Sequence, residues 1–226
     1  MCGRYVSPDE AAIERVWTII HAPNPFRTVY NAAPTMDLPV VRLHEGQHEV
    51  CAMQWGLIPV WWSKPEAPRS TINARIEDPA TKPMWHTAVK RTRCLVPSFG
   101  WYEWKEQGAG RVKQPYFIHL PQLALFHFAG LWSSWTPKGG EPILSFAILT
   151  RDAAGDIASI HNRMPVVLSP DAYGPWLHPA TEDGAAATAF ATDAAVTEFQ
   201  AYPVSTYVNT PRNQGEECIK RLEQRP

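Results

Sequence analysis

No apolar run in these 226 residues approaches the ~18 that a membrane-spanning helix needs, so neither a helical span nor a membrane partner is expected. Cysteine is scarce and scattered. Cys2, Cys51, Cys94 and Cys218 include no C-x-x-C pair, and the eight histidines show no zinc-ligand spacing. The reading therefore assigns no metal and no cofactor. The N-terminus lacks the basic region and apolar stretch of a secretory leader, which predicts an intracellular protein, in the cytoplasm or nucleoid of a bacterial cell, without disulfides. An excess of one charge is missing as well: 21 Lys/Arg face 22 Asp/Glu, with a sequence pI of about 6.7. Coating of nucleic acid by bulk electrostatics is disfavoured.

What is present is unevenly placed. Residues 61–120 carry ten Lys/Arg against five Asp/Glu, and residues 121–200 carry three against eight. Chance scatter and a patch facing a polyanion explain this equally well. Short β-like runs occur at Leu38–Leu43, Glu49–Trp55, Cys94–Val96, Trp101–Lys105, Tyr116–Leu120, Leu125–Ala129 and Ile143–Thr150. Helical signals lie at 8–21, capped by Ser7 with Glu10 completing a capping box, and at Pro79–Arg91, Ala154–Ile160, Pro170–Leu177 after Ser169, and Glu182–Phe190. The helix after Pro8 is expected to tie down Cys2–Val6. Gly108-Ala109-Gly110 and Lys138-Gly139-Gly140 read as hairpin tips. Strands and helices do not alternate as βαβ units, which predicts an α+β fold. It is expected to be one domain over residues 1–222, a mainly antiparallel, curled or barrel-like sheet with flanking helices, followed by a loose tail at 223–226.

Cys2 carries the sharpest chemical signal. If Met1 is removed, the residue presents an α-amine and a thiol on adjacent carbons. An α-amine titrates at about 8, against ~10.4 for lysine, so it is far more nucleophilic at neutral pH. It can form an imine with an aldehyde, after which the thiol is placed to close a five-membered thiazolidine ring. With Met1 retained, Cys2 is an ordinary small residue. In Gly100-Trp101-Tyr102-Glu103-Trp104, strand alternation puts Glu103 on the face of Trp101, where desolvation suits a carboxyl to proton transfer near neutral pH; an edge-strand surface glutamate is the bland alternative. Asn73-Ala74-Arg75-Ile76-Glu77 groups an amide, a guanidinium and a carboxylate, which fits either a salt bridge or a phosphate contact. His161, before Arg163-Met164-Pro165, reads as a proton shuttle or as a satisfied structural histidine. Trp61 and Trp62 cannot both face inward on an extended segment, so one is left to stack on a base or wedge a duplex end.

Cys2-Gly3-Arg4-Tyr5, Tyr30-Asn31-Ala32-Ala33-Pro34, Trp55-Gly56-Leu57-Ile58-Pro59, Asn73-Ala74-Arg75-x-Glu77, Gly100–Trp104, Ile160-His161-x-Arg163-Met164-Pro165 and Val204-Ser205 with Val208-Asn209 together resemble the SRAP (SOS response-associated peptidase) family of abasic-site processing proteins. The match spans nearly the whole chain; Ile76 and Asp78 depart from the commoner Asn-Ala-Arg-Ser-Glu-Thr pattern. The resemblance implies a partner, single-stranded DNA containing an abasic site, including single-strand/duplex junctions, and a monomer. It implies Cys2 as the residue bonded to the ring-opened sugar, Glu103 as acid/base, His161 as helper of ring opening and Asn73 as positioner. It further implies Arg4, Arg75 and Arg163 on phosphates, with Asn31 in the DNA-binding set and Pro34 and one of Trp61/Trp62 against bases. Strand cleavage, cross-link reversal and autoproteolytic loss of Met1 are implied activities. Two rivals remain open: an N-terminal-nucleophile amidohydrolase, and a non-covalent single-strand binding module.

Overall fold

The computed structural model describes residues 2–18, 26–64, 66–108, 113–178 and 183–223. The chain forms β1 (Tyr5–Ser7), α1 (Glu10–Glu14), β2 (Val29–Ala32), the hairpin β3 (Asp37–His44) and β4 (Gln47–Trp55), and the short β5 (Asn73–Arg75). Helix α2 (Pro83–Arg91) leads into β6 (Arg93–Ser98), β7 (Gly100–Glu106), β8 (Lys113–His119), β9 (Phe126–Trp135) and β10 (Ile143–Asp152). A 3-10 turn (Gly155–Ser159) precedes β11 (Arg163–Pro165), β12 (Val167–Leu168), α3 (Tyr173–Leu177), α4 (Gly184–Asp193) and β13 (Gln200–Pro203). The β3–β4 turn is a two-residue turn with positive φ at both Glu45 (50°) and Gly46 (79°), the geometry that matches strand twist in a tight hairpin.

Two sheets result. One is ordered β13-β8-β7-β1-β2; in the other, β10-β4-β3-β6-β9 closes on itself because β10 also pairs with β9. The α+β fold with a barrel-like sheet is thus observed. Among the described residues two pairings are parallel, β10 with β4 and β10 with β5, and the other strand pairings are antiparallel. Alternation divides the barrel's side chains between two cores. Val40, Val96, Phe128, Phe146 and Ile148 join Tyr5 and Trp101 from the first sheet, while Val41, Leu95, Ala129, Ala147 and Leu149 meet Trp85 of α2, Trp176 of α3 and Ala187 of α4. Cys2 belongs to the core between the sheets.

Local expectations are corrected in several places. Ser7 does not cap a helix; it is the buried last residue of β1. Asp9 caps α1 by accepting from Ala12 N at 2.9 Å, and Glu10 reaches instead to Phe26 N at 3.1 Å. The helix ends at Glu14, leaving Val16 45% exposed; the remainder of the expected stretch, from residue 19, lies outside the described residues. The segment before Pro8 is therefore tied down by sheet pairing on both sides, to Ala32 and to Trp101, rather than by the helix alone. Helix α2 starts at Pro83 instead of Pro79, with the proline in its first turn. Ser169 stands at the expected cap position without a side-chain capping bond, and the following segment divides into a 3-10 turn and α3. Asp183 caps α4; Glu182, part of the expected glycine tip (Ala109–Gly110) and the tail from Gln224 lie outside the described residues.

Candidate active site around Cys2

Four strands distant in sequence converge where β1 enters its sheet. β1 pairs with β7 in the register Tyr5↔Trp101, and Tyr102 N donates to Arg4 O at 3.0 Å, so the chain N-terminal to Tyr5 runs along Tyr102 and Glu103. β5 lies parallel to β10, with Asn73 opposite Ile148, and Asn73 Nδ2 donates to Cys2 O at 2.7 Å. Asn73 Oδ1 is buried and has no hydrogen-bond partner among the described residues, which leaves an acceptor beside Cys2. β11 pairs with β10 at Asp152↔Arg163 and so brings His161 in from the far side; His161 Nε2 lies 3.9 Å from Glu103 Oε2. Cys2, Asn73, Glu103 and His161 thus share one site, although 159 positions separate the first from the last.

The electrostatics follow from burial. Glu103 is 3% exposed, and loss of water pushes its carboxyl up to about 7, against the opposing pull of the positive chain terminus. Burial raises the Cys2 thiol well above its ordinary value, and the Glu103 charge adds to the effect, so the sulfur is a neutral thiol at physiological pH. Burial also lowers His161. His161 Nδ1 sits 3.0 Å from both the Arg163 backbone N–H, from which it can accept, and the Arg163 carbonyl, to which it can donate, so either tautomer is held on that side while Nε2 faces Glu103.

The other anticipated residues divide by occupation. Arg4 Nη1 donates to Asn31 Oδ1 at 2.8 Å and Val208 O at 3.0 Å, and the Asn31 amide donates to the carbonyls of Val208, Thr210 and Asn213. Asn31 is fully buried, and this pair fastens the segment 208–213 to β1 and β2. Arg163 grips both oxygens of Glu77 at 3.0 and 3.1 Å, Asp152 at 2.6 Å and Thr150 O at 2.7 Å. Arg75, by contrast, is exposed and makes no side-chain hydrogen bond among the described residues. Pro34 is half-buried at a turn. Trp61 is 51% exposed, whereas Trp62 is partly buried and held, its Nε1 donating to Glu66 O and its carbonyl accepting from Trp135 Nε1. Sequence reasoning missed the Arg163–Glu77–Asp152 cluster and the fastening of 208–213 by Asn31; both join residues too far apart for any periodic signal.

Among the described residues no group of three or more His, Cys, Asp or Glu is arranged to hold a metal, and no helix is long and apolar enough to cross a membrane. Comparison with known proteins places the chain in a lineage. Residues 1–211 match the profile of the family described as SOS response associated peptidase (SRAP). The abasic site processing protein YedK of Escherichia coli is 32% identical over 97% of this chain and 99% of its own length. The abasic site processing protein HMCES of Gallus gallus is 33% identical over 88% and 67%. Among solved structures, a Bacteroides thetaiotaomicron protein superimposes with a TM-score of 0.75 at 27% identity, covering 86% of this chain and 85% of its own. A phage-related protein of Bordetella bronchiseptica superimposes with a TM-score of 0.69 at 32% identity, covering 90% and 94%. A profile match over nearly the whole chain, with relatives above 30% identity along it, makes this protein a member of the SRAP family.

Proposed function

We propose that the protein captures abasic sites in single-stranded DNA, including those at single-strand/duplex junctions, through a covalent bond to Cys2, and that it acts as an intracellular monomer. Loss of Met1 turns the Cys2 nitrogen from an amide into an amine. The amine adds to the aldehyde of the ring-opened sugar, and the carbinolamine loses water to give an imine. The thiol then adds across the C=N bond, sulfur to carbon and proton to nitrogen, closing a thiazolidine with no change of oxidation state. Glu103, titrating near 7, serves both halves: protonated, it donates to the departing hydroxyl; ionised, it accepts the thiol proton that burial otherwise retains. His161 assists opening of the sugar ring through Nε2, and Asn73 Oδ1 holds the Cys2 amine or a sugar hydroxyl. Arg75 and the exposed Trp61 contact phosphate and base. Strand cleavage through the imine, reversal of the ring closure and self-removal of Met1 belong to the same chemistry.

The observation that carries this reading is the convergence of Cys2, Asn73, Glu103 and His161, carried on or just before β1, β5, β7 and β11, onto one largely buried site. Denaturing electrophoresis with an abasic single-stranded oligonucleotide, paired with intact mass, tests it. The expected result is a mass lacking Met1 and an adduct that resists denaturant and disappears in Cys2→Ala. Glutaminase activity without an adduct favours the amidohydrolase, and unimpaired strand binding without an adduct favours the non-covalent module. A fully active preparation that retains Met1 overturns the mechanism.

A further inference from the structure

The motif Val204-Ser205 with Val208-Asn209 has no part in the chemistry above, and its local structure accounts for three of its four residues. Val204 and Val208 are fully buried in the small core with Val6 and Tyr102. Ser205 caps the 3-10 turn Thr206–Asn209, its Oγ accepting from Tyr207 N at 3.2 Å. Asn209 is left over: it is exposed, so packing does not demand it. Its side chain is nevertheless engaged, because Oδ1 accepts from Trp104 Nε1 at 2.8 Å. Its carbonyl accepts from Arg4 Nη2 at 3.4 Å, beside the Val208 carbonyl that takes Arg4 Nη1 at 3.0 Å.

Those bonds reach the two segments that carry the reacting groups. Arg4 lies two residues after Cys2, and Trp104 one residue after Glu103. β1 pairs with β7 only at Gly100 and Trp101, with one further bond from Tyr102 N to Arg4 O. From Glu103 onward, β7 is paired among the described residues with β8 alone, as far as Glu106↔Lys113. A two-stranded ribbon is weak support by itself, so the place where it leaves the sheet depends on what anchors it. On β8 the anchors are Pro115 O, which accepts from Val204 N at 3.0 Å, and Gln114 Nε2, which donates to Val204 O at 2.8 Å. On β7 the anchor is the Trp104–Asn209 bond, next to Glu103. Strand alternation puts Trp104 and Glu103 on opposite faces, so Asn209 grips the strand from behind the site.

We propose that Asn209 is a positioning residue for the capture reaction: its amide oxygen fixes Trp104, and with it the Glu103 carboxyl, relative to the Cys2 arm that its carbonyl helps to hold through Arg4. The inference rests on the DNA-capture reading above. Asn209→Ala removes the side-chain bond and leaves the carbonyl for Arg4, whereas Asn209→Asp keeps an acceptor oxygen for the indole. The test measures the rate of adduct formation at saturating abasic strand and, separately, the strand concentration at half that rate. Fluorescence anisotropy with a tetrahydrofuran abasic analogue, which has no aldehyde, reports binding alone. Asn209→Ala should lower the saturated rate about 10-fold, within the ~10²-fold that a misplacement of about 1 Å can cost. Half-saturation and analogue binding should stay within about 2-fold of wild type and Tm within about 2 °C, as for other exposed substitutions. Asn209→Asp should keep the saturated rate within about 2-fold of wild type. In a Trp104→Phe background, Asn209→Ala should slow the reaction no further, the non-additivity of two residues joined by one bond. An unchanged saturated rate in Asn209→Ala, a loss confined to half-saturation, an Asn209→Asp as slow as Asn209→Ala, or multiplying losses in the double variant overturn the positioning role while the wild type still forms its adduct. A wild type that forms no adduct overturns the DNA-capture reading, and this inference with it.

Discussion

Glu103 is a carboxylic acid placed where water cannot solvate its charge, and the cost of that placement is measurable. Its folded value of about 7 lies above the ordinary 4.5, so between those pH values the folded chain binds more protons than the unfolded one. Stability therefore falls as pH rises from about 4.5 to 7 and stays lower above that range; at 1.36 kcal/mol per pH unit the destabilisation reaches about 3 kcal/mol. Glu103→Gln should unfold at a higher temperature than wild type at pH 8, with a flatter pH dependence of Tm between 4.5 and 7. The same substitution should slow adduct formation by at least ~10²-fold while strand binding persists, because the group moves protons rather than holding phosphates. Thermal scans across pH and time-resolved gels measure both; an unchanged adduct rate removes Glu103 from the chemistry. The pairing of Glu103 with Trp101 on one face was legible in five residues of sequence, since strand alternation alone decides it. The occupation of Asn31 was not, because the carbonyls its amide engages lie 177 to 182 positions further along the chain.

Elements meet at Arg163, which joins β11 to Glu77 just past β5 and to Asp152 on β10. Its side chain is 10% exposed, but Glu77 and Asp152 are 53% and 86% exposed, so the ion pairs themselves are worth at most ~1 kcal/mol. The bond to the buried Thr150 carbonyl adds ~1–3 kcal/mol. Burial lowers the guanidinium pKa and the two carboxylates raise it, for a net upward shift, while Arg163 holds Glu77 below the usual carboxylate range. Arg163→Met should accordingly destabilise by about 2 kcal/mol in denaturant titration and displace His161, whose ring rests on the Arg163 amide. Arg75→Ala should behave oppositely, changing stability by less than ~0.5 kcal/mol but flattening the salt dependence of single-strand binding by about 0.7 in log–log slope, one phosphate contact's worth. Equal effects of the two variants on both measurements would erase the distinction between clamp and contact. Sequence patterning located the longer strands well, as at β3, β4 and β10. It misplaced the first helix cap because Ser7 is engaged by the sheet, a tertiary competitor that no local capping rule registers.

At the scale of the whole molecule, the site depends on β10 closing the barrel. Curvature was readable from the many short antiparallel runs, but the parallel joints were not: β10 pairs Ser145 with Gln54 and Ile148 with Asn73, across long stretches of chain that carry no periodic trace. Gly130 sits at the seam, opposite Cys94 on one side and Ile148 on the other. A Cβ there would come within 2.8 Å of Cys94 Sγ and 3.2 Å of both Ala147 O and Val96 Cγ2, so the lack of a side chain is what lets β6, β9 and β10 approach. Gly130→Ala should destabilise by ~1–3 kcal/mol through overpacking. Because Ile148 faces Gly130 on one edge and Asn73 on the other, the displaced strand should also shift Asn73 from the Cys2 carbonyl and slow adduct formation. Cys94→Ala removes the closest obstruction, so the double variant should be more stable than the sum of the two single losses allows, by about 1 kcal/mol in a double-mutant cycle, and should recover part of the adduct rate. Strict additivity, or a single variant as stable and as fast as wild type, would mean that the seam tolerates a methyl group and that barrel closure does not set the position of Asn73.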